Sequence, residues 1–141
     1  MPDYQNVIAV LDDDEIFLLL IKKMIQKSNI TDTILQFSNP HEGLFYFRNN
    51  ANNPLQLPSI ILLDLYMGNI TGWQFLKQLE NIQFPDNYDP SVFIISGAEN
   101  IDFEKLRNYP LIKGYLTKPI IPDKLISLIE STRLASRLDQ H

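Results

Sequence analysis

Short apolar runs alternate with amphipathic segments along this chain, and that alternation leaves few folds open to it. The runs are Val7 to Leu11, Thr33 to Phe37, Ile60 to Leu63, Val92 to Ile95 and Gly114 to Leu116, rich in Val, Ile, Phe and Tyr and of strand length. Helical patterns separate them. Ile16, Leu19, Leu20 and Lys23, continuing through Met24 to Ile25 and Lys27, read as an amphipathic helix with lysines on its polar side, opened by the acidic group Asp12 to Glu15. Gly43 to Arg48 gives a second helix; Trp73, Leu76, Leu79 and Ile82 a third; Phe103, Leu106 and Tyr109 a fourth; Leu125, Leu128, Ile129 and Leu138 a fifth. Strands and helices taken in turn predict a parallel sheet covered by helices on both faces.

The chain has 141 residues, 45% of them hydrophobic, enough for one domain with one core. Composition narrows the chemistry. The absence of cysteine excludes disulfides, thiolate metal sites and cysteine nucleophiles. A net charge of -5, with no Lys/Arg-dense segment to offset it, argues against non-specific nucleic-acid binding. No apolar run approaches the roughly 20 residues of a membrane span, and the start lacks the basic region of a signal peptide. The expectation is a cytoplasmic protein whose partners are proteins. The connectors "NNANNPLQLP" and "NIQFPDNYDPS" lead from helix to strand and are read as inert loops at the N-terminal edge of the sheet.

Ligands of open α/β sheets bind beyond the carboxyl ends of the strands, so the strand-to-helix junctions are where chemistry is expected. The first strand ends in Asp12, Asp13 and Asp14, and the third in Asp64. The fourth ends in Ser96 with Gly97 and Ala98, and the fifth in Thr117, Lys118 and Pro119. Each has a plainer reading. Asp12 to Glu15 would cap the first helix and complement its dipole; Ser96 would be a turn residue, Lys118 a solvated lysine and Pro119 a helix breaker. Asp64 resists such a reading, because a carboxylate ending a buried strand needs a partner.

Carboxylates from two strand ends repel one another unless they take up protons or a cation sits among them. An all-oxygen donor set without His or Cys favours a hard ion, Mg²⁺ first, with Mn²⁺ as an alternative. A carboxylate beside such a cation and a lysine ammonium suits phosphoryl transfer, since both positive charges stabilise the equatorial oxygens of the group in flight. Asp64 is then a candidate nucleophile and an acyl phosphate its product.

In "VLDDDE", "IILLDLYMGNITGW", "VFIISGAE" and "GYLTKP" the chain resembles the receiver domain of two-component response regulators, in the family's order and spacing. The resemblance implies a flavodoxin-like, doubly wound (βα)5 three-layer sandwich with parallel strand order 2-1-3-4-5. It implies one receiver domain over residues 4–138 without an output domain. Asp64 would accept a phosphoryl group from a histidine kinase or histidine phosphotransfer protein. Asp12 and Asp13 would hold Mg²⁺ together with Asp64 and the backbone carbonyl of Tyr66, Asp13 ahead of Asp12 as direct ligand. Ser96 and Tyr115 would be the switch pair, Lys118 would pair with the phosphoryl group, and the bond before Pro119 would be cis. Output would pass to a downstream protein through the face of the fourth helix, fifth strand and fifth helix, from a monomer or weak homodimer, with no nucleic acid or membrane involved.

Two positions depart from the family pattern. Gly68 stands where proline is usual, four residues after the phosphoacceptor, and implies a looser loop without loss of the site. Tyr66 is bulky where smaller or polar residues are frequent; with Ala98 it would flank the approach of hydrolytic water and lengthen the life of the acyl phosphate. Apart from catalysing its own phosphorylation and dephosphorylation, such a protein is not an enzyme. The alternatives are an Mg²⁺-dependent aspartyl-nucleophile phosphohydrolase, which would carry a second aspartate where Tyr66 stands, and an unphosphorylated receiver-like scaffold.

Overall fold

The computed structural model describes residues 7–31, 33–68, 70–97 and 101–138. Of the expected domain span, residues 4–6, 32, 69 and 98–100 lie outside the described residues. The elements run β1 (Val7–Leu11), α1 (Glu15–Ser28), β2 (Thr33–Phe37), α2 (Pro40–Asn49), β3 (Ile60–Asp64), β4 (Tyr66–Met67) and β5 (Ile70–Thr71). They continue α3 (Gly72–Glu80), β6 (Ser91–Ser96), α4 (Phe103–Leu106), β7 (Ile112–Thr117) and α5 (Pro122–Leu138). The five long strands pair in parallel in the order β2-β1-β3-β6-β7. Counting long strands alone, this is the expected 2-1-3-4-5 arrangement of a flavodoxin-like fold. β4 and β5 form a separate antiparallel pair directly after β3.

Alternation along each central strand feeds two cores. Ala9, Leu11, Ile61, Leu63, Val92 and Ile94 point to one face, where Leu44 and Phe47 of α2 and Phe75, Leu76 and Leu79 of α3 cover them. Ile8, Val10, Ile60, Leu62, Phe93 and Ile95 point to the other, under Leu18, Ile21 and Ile25 of α1 and Leu125 and Ile129 of α5. Both faces of β1 and β3 are thus apolar, which is why those strands read as unbroken hydrophobic runs. Each fully buried Leu or Ile contributes about 1.5–3 kcal/mol.

The face of α1 differs from its sequence reading. Leu18, Ile21 and Ile25 are buried, whereas Ile16, Leu19 and Leu20 are 73%, 51% and 50% exposed. The segment "IFLLLI" is apolar over more than one full turn, so several helical stripes are equally hydrophobic and periodicity alone cannot select the buried one. The helix begins at Glu15, the last residue of the acidic group. Asp14 is its N-cap, accepting hydrogen bonds from Ile16 N at 3.0 Å and Phe17 N at 3.2 Å, so the plain capping role holds for this residue.

α4 is also shorter than the apolar spacing suggests. It ends at Leu106, and Tyr109 lies beyond it, because the residue before Pro110 is biased away from helical backbone. Ile82 likewise falls outside α3. Both connectors pack into the fold. Phe84 packs edge-on to Phe47 and lies 4.8 Å from Tyr88, whose hydroxyl donates to Pro58 O at 2.6 Å; Leu57 is buried, and Tyr46 donates to Gln56 O at 2.8 Å. Their aromatic residues close the N-terminal end of the sheet. Among the described residues no helix is long and apolar enough to cross a membrane.

Candidate functional site

Among the described residues the buried polar side chains are Asp12, Asp64 and Ser96, and all three stand at the C-terminal ends of long strands. β1, β3 and β6 are consecutive neighbours in the sheet, so the topology sets the three groups along one rim. Asp12 follows β1 and its amide donates to Phe37 O on β2 at 3.2 Å. Its Oδ1 accepts from Asp14 N at 2.9 Å, turning the chain into α1. Asp64 is the last residue of β3, paired in register with Ile95. Asp13 lies beside them but exposed.

Oxygen atoms of Asp12, Asp13 and Asp64 lie within 4.8 Å of one another. Three carboxylates at that spacing, with no nitrogen or sulfur donor among them, fit a hard divalent cation such as Mg²⁺ or Mn²⁺. Lys118 supplies the positive charge that the chain itself brings. Its Nζ is 2.7 Å from Asp12 Oδ2 and 3.7 Å from Asp64 Oδ2. Its own amide anchors it to the neighbouring strand, Lys118 N donating to Ser96 O at 2.9 Å; the Lys118–Pro119 peptide is cis.

The electrostatics of Asp64 follow from this crowding. Burial pushes its carboxyl up to about 6, and the negative charge of Asp12 pushes the same way. Lys118, a long hydrogen bond from Tyr66 N at 3.4 Å and the weaker repulsion of Asp13 complete the balance, the first two lowering the value and the third raising it. The Asp64 carboxyl is therefore buried, crowded by a second carboxylate and partly offset by one ammonium.

The remaining predicted residues are placed as follows. Tyr66 begins β4, two residues after Asp64, and is 53% exposed. Tyr115 lies on β7 opposite Ile94, next to the strand that ends in Ser96. Its ring is 44% exposed and contacts Phe103 of α4 edge-on, with centroids 5.2 Å apart. Ala98 lies outside the described residues.

Two neighbours of the site were not singled out from the sequence. A Cβ on Gly72 would stand 2.7 Å from Asp64 O and 3.0 Å from Leu65 Cα, so only glycine lets α3 begin against the end of β3. The residue sits in the quoted "ITGW", but nothing local reveals the close approach. Phe17, in the first turn of α1, places its ring 4.2 Å from Lys118 Nζ. Gly68, the departure noted above, has φ of +51°, which a proline ring held near about -65° cannot adopt.

A family model for the response regulator receiver domain matches residues 8–130. The chain belongs to that family. Solved receivers share its fold. A two-component response regulator from Cytophaga hutchinsonii is 21% identical with a TM-score of 0.76, covering 90% of this chain and 96% of its own. A response regulator receiver domain protein from Clostridium thermocellum is 24% identical with a TM-score of 0.75, covering 94% and 98%. A CheY-like receiver domain protein from Methanospirillum hungatei is 16% identical with a TM-score of 0.75, covering 96% and 98%. No curated protein matches the chain. As a receiver domain it has a phosphorylation-dependent role in two-component signalling and is a switch rather than a conventional enzyme.

Proposed function

We propose that this receiver takes a phosphoryl group onto Asp64 from a histidine kinase or histidine phosphotransfer protein and signals by protein contact. The observation that carries the reading is the convergence of the buried polar groups, Asp12, Asp64 and Ser96, on one rim with Lys118 between the two carboxylates. In the transfer, an Asp64 carboxylate oxygen forms a bond to phosphorus while the bond from phosphorus to the donor nitrogen or oxygen breaks. The leaving group departs with that electron pair. Asp12, Asp13, Asp64 and the Tyr66 carbonyl would hold Mg²⁺, or Mn²⁺ in its place. When bound, the cation supplies positive charge that lowers repulsion among the carboxylates and toward the incoming group.

Lys118 balances the charge of Asp12 before transfer and lies within reach of a phosphoryl oxygen on Asp64 after it. Ser96 would donate its hydroxyl to that oxygen, and Tyr115, on the adjoining strand, would turn inward as Ser96 moves. The surface so altered is that of α4, β7 and α5, where a downstream protein would bind. A cytoplasmic monomer or weak homodimer, acting without nucleic acid or membrane, fits the acidic charge. The test is incubation with acetyl phosphate and Mg²⁺ followed by intact mass. Wild type is expected to gain one phosphoryl group and Asp64→Asn none; an unmodified wild type, or a mutant modified at the same rate, overturns the reading.

A further inference from the structure

We propose that Phe17 is a positioning residue for Lys118, its ring face confining the ammonium to the space above Asp12 and Asp64. Lys118 Nζ lies 4.2 Å from the Phe17 ring centroid, 2.7 Å from Asp12 Oδ2 and 3.7 Å from Asp64 Oδ2. The charge thus has a ring on one side and two carboxylates on the other, and the lysine side chain is only 29% exposed. The ring is itself held. Phe17 N donates to Asp14 Oδ1, the cap of α1, and the side chain packs against the core formed by α1, α5 and the sheet.

A ring suits this position for a chemical reason. Lysine carries a compact charge on a flexible four-carbon stem, and a third carboxylate would restrain it only by competing with the phosphoryl group for the same charge. The negative face of an aromatic ring attracts the cation without neutralising it. The ammonium then stays available to oxygen atoms arriving on Asp64. At 4.2 Å the ring also keeps water from one side of the charge. An aliphatic residue of similar bulk would give the cover without the attraction.

This inference rests on the reading that Lys118 meets a phosphoryl group on Asp64, so the experiment separates the two. Wild type, Phe17→Leu and Phe17→Tyr are compared in two measurements. By NMR, the Lys118 Cε protons of wild type are expected upfield, as for a group above a ring, to return to their ordinary position in Phe17→Leu and to stay upfield in Phe17→Tyr. In phosphorylation by acetyl phosphate with Mg²⁺, Phe17→Leu is expected to react about three- to tenfold more slowly at saturating donor, with the half-saturating donor concentration unchanged, and Phe17→Tyr to regain most of the rate. A purely structural role would not separate leucine from tyrosine in this way. Phosphorylation of Phe17→Leu at the wild-type rate, or Lys118 protons at their ordinary position in wild type, overturns the proposal for Phe17 alone. Wild type that gains no phosphoryl mass overturns the reading of Asp64 and the role of Phe17 together.

Discussion

Lys118 Nζ sits 2.7 Å from Asp12 Oδ2, joining two residues 106 positions apart in the chain. This ion pair bridges β1 to the loop after β7, across the width of the sheet between them, and leaves Asp64 as the second neighbour of the same ammonium at 3.7 Å. The lysine is thereby shared unequally. A gain of negative charge at Asp64 is expected to shift that sharing, and the predictions below follow from it and from the groups around it.

The first concerns pH. Asp64 is raised from 3.8 to about 6, chiefly by burial. Below about pH 4 the group is protonated in folded and unfolded chains alike. As pH rises from about 4 to about 6 the unfolded chain loses its proton first, so stability falls across that window and the penalty is complete above it. Asp64→Asn removes the penalty. The mutant is expected to exceed wild type by about 1–2 kcal/mol at neutral pH without divalent cation, after allowance for solvent screening, and to approach it near about pH 4. Urea midpoints at the two pH values check this; equal stability at neutral pH would refute it.

Metal affinity should depend on Asp13. Asp12 is engaged by Lys118 and by Asp14 N, while Asp13 is exposed next to both buried carboxylates. Asp13→Ala is expected to weaken Mg²⁺ or Mn²⁺ binding on the order of tenfold, the equivalent of about 1.4 kcal/mol. Calorimetry measures it directly. Trp73 offers a second readout, because its ring packs on Tyr109 at 5.4 Å beneath Lys105 in the first turn of α3, the helix that follows the Asp64 loop. Unchanged affinity in the mutant would remove Asp13 from the site.

Phosphorylation should expose the surface around Phe103. Tyr115 now leans outward against that ring, and an inward turn would part the two. Amide exchange over Phe103, Leu106 and Ile112 is expected to differ with and without beryllofluoride, a phosphoryl mimic. Identical exchange in both states would count against a Tyr115 switch.

The lifetime of the acyl phosphate should depend on Tyr66. Hydrolysis needs water in line with the bond to Asp64, and the exposed phenol two residues along the chain would cover that path. Tyr66→Asn and Ala98→Glu are each expected to speed loss of the phosphoryl group, by about tenfold if the barrier falls by roughly 1.4 kcal/mol. Decay is followed by intact mass after removing the donor. Unchanged or slower loss in both variants would sink the shielding idea.

Gly72→Ala tests the packing beneath the site. Its Cβ would meet the backbone of Asp64 and Leu65, which cannot yield as a flexible side chain does. A loss of about 1–3 kcal/mol is expected, together with slower phosphorylation, because the atoms displaced belong to the backbone that carries the proposed phosphoacceptor. Denaturant unfolding and the acetyl phosphate assay read the two effects. Wild-type behaviour in both would show that α3 can retreat without disturbing β3.

What the sequence determined by itself is the order of elements and the position of the rim. Unbroken runs such as Ile60 to Leu63 require burial on both faces, helices between them supply the cover, and the polar residues that end those runs have nowhere to go but the carboxyl edge. Asp12, Asp64, Ser96 and Lys118 were legible for that reason. Only the tertiary structure decided which stripe of α1 is buried, since Phe17 to Ile21 offers several of equal hydrophobicity and contact with β1, β3 and α5 makes the choice. It alone brought Phe17 under Lys118 and Gly72 against Asp64 O, and it alone turned Phe84 and Tyr88 from a loop into a seal. Local pattern reports how much apolar surface a segment has and at what period. Which neighbour meets that surface depends on where distant parts of the chain lie, and that is settled by the packing of the whole domain.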